Sequence, residues 1–93
     1  MKVFRKDEVG QLDYVFDFCD WLTGGDYIAD ATFIVPPGLD WISSKNTSKT
    51  ATVWVSGGTQ GESYRVDCIV TTASHPPRIA KKSITLEITE RIL

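Results

Sequence analysis

The stretch that decides the fold runs from Thr50 to Thr72 and reads TATVWVSGGTQGESYRVDCIVTT. Val53 and Val55 fall on one side of its first part, with Thr52, Trp54 and Ser56 on the other. In its last part Tyr64, Val66, Cys68 and Val70 alternate with Arg65, Asp67, Ile69 and Thr71. Successive side chains of a strand point to opposite faces, so each half reads as a strand with one buried face. Gly57-Gly58-Thr59-Gln60-Gly61 is expected to join them as a tight hairpin, since glycine adopts positive φ without steric penalty. In Gly61-Glu62-Ser63-Tyr64-Arg65-Val66 a tyrosine follows the turn and precedes an inward apolar residue by two. That is the spacing of a tyrosine corner, whose hydroxyl ties the loop to an upstream backbone group while the ring packs inward. An ordinary core tyrosine is the alternative. Tyr64, Gly57, Gly58 and Gly61 are therefore the structural residues of the stretch.

Working outward, Thr23-Gly24-Gly25-Asp26, Pro36-Pro37-Gly38, Ser43 to Lys49 and Ser74-His75-Pro76-Pro77 punctuate the chain as turns. Between the turns lie runs at 12–18, 27–35, 39–42, 50–56, 62–72 and 79–90. Leu12, Tyr14, Phe16 and Phe18 form one face of the first run. Ala29, Ala31, Phe33 and Val35 do so in the second, where Ile28 falls out of step and suggests a bulge or a strand end. Ile84, Leu86 and Ile88 close the set. Composition agrees: the 93 residues hold Val 8, Ile 8 and Thr 10 against Leu 5 and Ala 5. Branched side chains suit a pleated surface better than a helix turn. The expectation is an all-β chain, a single immunoglobulin-like antiparallel β-sandwich of six to seven strands over 1–93, with 1–10 as an N-terminal arm. The antibody-type disulfide is missing, because Cys19 sits at the edge of the first run while Cys68 points inward.

Charge narrows the partners. The net charge is −2, which argues against nucleic acid as a partner. Residues 1–40 hold eight acids against three bases, and 41–93 hold seven bases against four acids. The plain reading is two solvated faces; the alternative is head-to-tail complementarity between copies. No apolar run approaches a membrane span and no signal peptide is seen, so the expected site of synthesis is the cytoplasm, without membrane contact. Cys19 and Cys68 are then free thiols acting as small apolar residues. The Asn46-Thr47-Ser48 sequon is without meaning there.

Catalytic and ligand chemistry finds no support. His75, the one histidine, precedes two prolines in a loop, and no nucleophile–base set can be assembled without it. The glycine turn lacks the lysine ending and the helix of a phosphate loop. Asp13, Asp17, Asp20, Asp26 and Asp30 do not follow calcium-loop spacing, and alternation puts the first two on a solvent face. No catalytic residue, cofactor or metal site is expected. What remains is surface. Trp54, between the inward Val53 and Val55, faces outward and is costly to leave wet. Trp41, Trp21, Ile69, Arg78, Lys81 and Lys82 complete the interface candidates.

Taken as a string, the chain resembles the phage fiber-tail adaptor proteins of tailed phages and prophages. The resemblance runs through Leu12-Asp13-Tyr14, Phe16-Asp17, Asp20-Trp21-Leu22, Asp26-Tyr27-Ile28 and Pro37-Gly38-Leu39. Its most specific part is Trp54-x-Ser56-Gly57-Gly58-Thr59-x-x-Gly61-x-x-Tyr64, followed by Val66 and Thr71-Thr72. It covers about residues 10–92. It implies a non-enzymatic virion component of the tail, made in the host cytoplasm and present in several copies. Its partners would be copies of itself and other tail, neck or fiber proteins. Two departures matter: Ser74-His75-Pro76-Pro77-Arg78 has prolines where a glycine turn is expected, and Lys81-Lys82 adds basic charge nearby. The alternative is a binding module of the same fold, decorating a capsid or holding a carbohydrate.

Overall fold

The computed structural model describes residues 2–7, 10–22 and 24–89. Seven strands follow in order: β1 (Lys2–Asp7), β2 (Leu12–Asp17), β3 (Ile28–Ile34), β4 (Leu39–Asn46), β5 (Thr50–Gly57), β6 (Ser63–Thr72) and β7 (Ile79–Thr89). They form a four-stranded sheet of order β1-β7-β6-β3 and a three-stranded sheet of order β2-β5-β4, so the Gly57–Gly61 turn is not the expected hairpin: it carries the chain from one sheet to the other. The triplets β2-β5-β4 and β7-β6-β3 are the second-fifth-fourth and seventh-sixth-third strands of the immunoglobulin plan. Two expectations are corrected at the first strand. The stretch read as an arm contains β1, and β1 pairs with β7 in parallel, from Lys2 beside Ile84 to Asp7 beside Thr89. The other pairings are antiparallel. The arm reading arose because β1 turns Phe4 and Lys6 inward, and a buried lysine breaks the apolar alternation that marks a strand.

The core fills from both sheets by the alternation of their strands. Tyr14, Phe16 and Phe18 meet Val53 and Val55 on one side and Val66, Cys68, Val70, Ile84, Leu86 and Ile88 on the other. Phe16 packs on Phe33 with ring centroids 5.8 Å apart, and Phe4 packs on Tyr14 at 5.2 Å, so aromatic pairs bridge the sheets. Leu12, expected in this face, is exposed because it begins an edge strand at the open end. A bulge between Ile28 and Asp30 turns Ile28 into the core and Ala29 out, reversing the expected roles of that pair.

The fourth strand is longer than its sequence suggests. It continues through Ser43–Ser44, expected as the start of a turn, and ends at Asn46. Pairing along β5 overrides the turn preference of serine, and a bulge between Trp41 and Ser43 hides the alternation. The turn itself is tied by Thr47, whose N–H reaches the Thr50 carbonyl at 2.8 Å. Thr23 and Glu90, named in the turn and the last run, lie outside the described residues.

Candidate interaction surfaces

On the three-stranded sheet, Trp54 stands on the outer face opposite Asp13 of β2 and Ser43 of β4. Val53 and Val55 beside it are fully buried. The indole is half-buried, because Lys45 lays its ammonium 5.5 Å from the ring centroid. Trp41 sits at the β4 bulge and is 54% exposed, with Ile42 also exposed. Val15 of β2 adds a further exposed apolar side chain to this sheet. Alternation from the buried Leu39 gives Trp41 an inward slot, opposite Val55, and Ile42 an outward one; the bulge leaves Ile42 without a partner on β5, and both side chains are exposed.

At the end of the sandwich that holds the Ser74–Arg78 turn, Trp21 is not a free surface ring. It packs edge-on against Phe18 at 6.2 Å, and the Arg78 guanidinium lies 4.4 Å from its centroid. Arg78 also donates from Nη2 to the Trp21 carbonyl at 3.4 Å. Lys82 crosses from β7 to the end of β2, where its ammonium donates to the Asp17 carbonyl and stands 5.1 Å from the Phe18 ring centroid. Three of the candidates are thus engaged in closing this end of the core.

Ile69 lies on the outer face of the four-stranded sheet, half-buried between Thr32 of β3 and Lys81 of β7. One row along, Asp67 accepts from Ser83 Oγ at 2.5 Å and from Arg65 Nε at 2.9 Å. The Ser83 bond first, and then Arg65, hold its carboxyl below the ordinary aspartate range despite partial burial. The interface candidates therefore occupy four places: the outer face of the three-stranded sheet (Trp54), the β4 bulge where Trp41 pairs with Val55, the outer face of the other sheet (Ile69, Lys81) and one end (Trp21, Arg78, Lys82).

The other end is the tyrosine's. Tyr64 Oη accepts the Thr59 N–H, five residues upstream, at 3.0 Å. Its ring presses on Gly38, where a Cβ would stand 2.8 Å from Tyr64 Cε1. Gly58, at φ +102°, would drive a Cβ to 2.7 Å from Ile88 Cδ1. Lys6, fully buried, extends from β1 and donates to the Gly57 carbonyl at 2.7 Å. Sequence reading missed Gly38 and Lys6. The signals for Gly38 were its place after two prolines and its part in the Pro37-Gly38-Leu39 resemblance, and Lys6 gave none, because an inward lysine is legible only once its strand is placed.

His75 is exposed in its turn, joined to Pro76 by a cis bond. Cys19 is exposed and Cys68 buried, both free thiols. Among the described residues no group of three or more His, Cys, Asp or Glu is placed to hold a metal, and no helix is long and apolar enough to cross a membrane.

The seven strands, in the order described, define a β-sandwich with the strand plan of an immunoglobulin-type domain. The chain belongs to the phage fiber-tail adaptors: the family model described as podophage GP4 fiber-tail adaptor protein gp77 matches residues 6–87. This is a family of structural tail components. No curated protein matches the chain.

Proposed function

We propose that this chain joins the tail or neck of a tailed phage to its fibers, several copies being set around the tail. The observation that carries the reading is the family match over residues 6–87. The surface gives it a physical basis. Of the eight exposed large apolar side chains among the described residues, four (Leu12, Val15, Trp41 and Ile42) belong to β2 and β4, the strands that flank the β5 of Trp54. Aromatic anchors of this kind dominate protein interfaces. Asp13 and Asp17 are exposed on β2, while Lys81 stands on the outer face of the other sheet. That separation favours head-to-tail contacts between copies over symmetric ones.

Trp54→Ser and Trp41→Ser test the reading in assembled particles. We expect both variants to keep the wild-type far-UV circular dichroism and melting temperature while losing incorporation into virions. Folded variants that assemble normally would remove this face from the interface. The alternative, a capsid-decorating or carbohydrate-binding module, rests on the same exposed Trp41. It predicts binding to glycans or to capsids without tails, which a soluble-glycan screen and a capsid co-sedimentation assay detect.

A further inference from the structure

The last strand is longer than the strand beside it. β7 has eleven residues, yet β1 pairs only with its second half, from Ile84 onward. Among the described residues no strand pairs with 79–83 on that side. The N–H of Ile88 donates toward β6 and its carbonyl accepts from the β6 side. Backbone groups alternate in direction along a strand, so those of Ile79, Lys81 and Ser83 turn away from β6, to the side that β1 leaves uncovered. An uncovered edge of this kind is a template for another strand. Beside it, between β7 and the edge strand β2, opens a cleft of about 600 Å³. Val15, Phe16 and Ile84 supply its apolar lining, while Arg65, Lys81 and Lys82 outnumber Asp17 among its charged groups.

We propose that this half-edge and its cleft dock an extended acidic segment of a neighbouring virion protein, added to the four-stranded sheet in line with β1. The segment alternates: apolar side chains enter the cleft toward Val15 and Ile84, and carboxylates face Lys81 on the outer side. Charge decides between occupants. A second copy offering the same edge about a two-fold axis would set Lys81 near Lys81, a like-charge contact that destabilises paired strands. With Arg65 already paired to Asp67, an acidic segment meets Lys81 and Lys82 against the one carboxylate of Asp17. Lys82 is held across the mouth by the Asp17 carbonyl, so part of the cation set is in place before anything docks. The source of the segment rests on the adaptor reading; the chemistry of the edge does not.

The test is a fluorescein-labelled peptide of four Asp-Val repeats, titrated by anisotropy, with a peptide of four Lys-Val repeats as control. Saturable binding of the acidic peptide alone is expected. Lys81→Ala removes a charge and should weaken it several-fold. Lys81→Pro removes in addition an N–H directed away from β6, which edge strands tolerate, and should weaken binding roughly tenfold beyond Lys81→Ala. The inference is overturned if the acidic peptide fails to bind, if both peptides bind alike, or if the proline and alanine variants bind equally. It is also overturned if light scattering shows a wild-type dimer that Lys81→Pro converts to monomer, since a second copy then fills the edge. Should Lys81→Pro unfold, Lys81→Glu decides, and unchanged binding there refutes the proposal. None of these failures touches the incorporation test on Trp54.

Discussion

Tyr14→Phe should make the protein more stable. Tyr14 lies on β2 with only 8% of its surface exposed, and its hydroxyl is buried without a hydrogen-bond partner. Stripping a hydroxyl of water without replacing its bonds costs about 1–3 kcal/mol. The phenylalanine ring keeps the 5.2 Å contact with Phe4 and forfeits only the dispersion contacts of one oxygen, each about 0.1–0.2 kcal/mol. The balance is a gain of roughly 1 kcal/mol, or a rise of about 4–8 °C in melting temperature for a domain of this size. Urea denaturation reads it as a higher midpoint at unchanged slope. A second readout is the alkaline limb. Burial first, and then the charge of Asp13, raise the Tyr14 pKa above its ordinary 10.0. The native state thus keeps a proton that the unfolded chain releases, and wild-type stability falls as pH climbs beyond about 10. The variant lacks that contribution. A lower urea midpoint for Tyr14→Phe would refute the reasoning, because it would mean the hydroxyl is satisfied in solution.

Cys68 makes a second alkaline prediction: burial pushes its thiol up to about 12 from 9.0. Stability present below pH 9 should be lost toward pH 12, at up to about 1.4 kcal/mol per pH unit, and this part of the slope should vanish in Cys68→Ala. Ellman titration of the native protein should find Cys19 at once and Cys68 only on unfolding; immediate reaction of both would contradict the burial. Gly58→Ala should cost roughly 2–4 kcal/mol by urea denaturation, combining a positive φ with a clash against Ile88. Tyr64→Phe removes one neutral bond from the Thr59 N–H and should cost about 0.5–1.5 kcal/mol, an effect absent if the corner is open in solution.

Where the sandwich buries one face of a strand, its sequence was legible. Val66, Cys68 and Val70 of β6, and Ile84, Leu86 and Ile88 of β7, are core residues at the alternation their sequence shows. Reading failed where something other than alternation sets the structure. Lys6 spends an inward slot on a polar contact with a turn carbonyl, and this concealed β1. The bulge near Ile28 was legible, because Ile28 falls out of step with Ala31 and Phe33; the one near Trp41 was not, since it shifts the phase of β4 with no apolar residue out of step to announce it. Trp21 and Arg78, fifty-seven positions apart, meet only because two turns close the same end. That contact belongs to the topology, and pattern along the chain does not carry it. Trp54 was placed on the outer face by its neighbours, but not the lysine that covers it, since Lys45 reaches the ring only through the register of β4 with β5.

The parallel pairing of β1 with β7 also determines how the domain bears a pull. Lys2 lies beside Ile84 and Asp7 beside Thr89. Tension drawing residue 2 and residue 89 apart along the strand axis makes the two strands slide past one another. All six aligned pairs then carry the load together, whereas an antiparallel hairpin pulled from its open end parts one bond at a time. Resistance to such a pull is a rate of rupture and not an equilibrium quantity. It depends on one short ladder, with the Lys6 ammonium at the Gly57 carbonyl acting as a peg against slippage. In a joint between a tail and a fiber, that arrangement gives tensile strength along one axis without requiring a larger core.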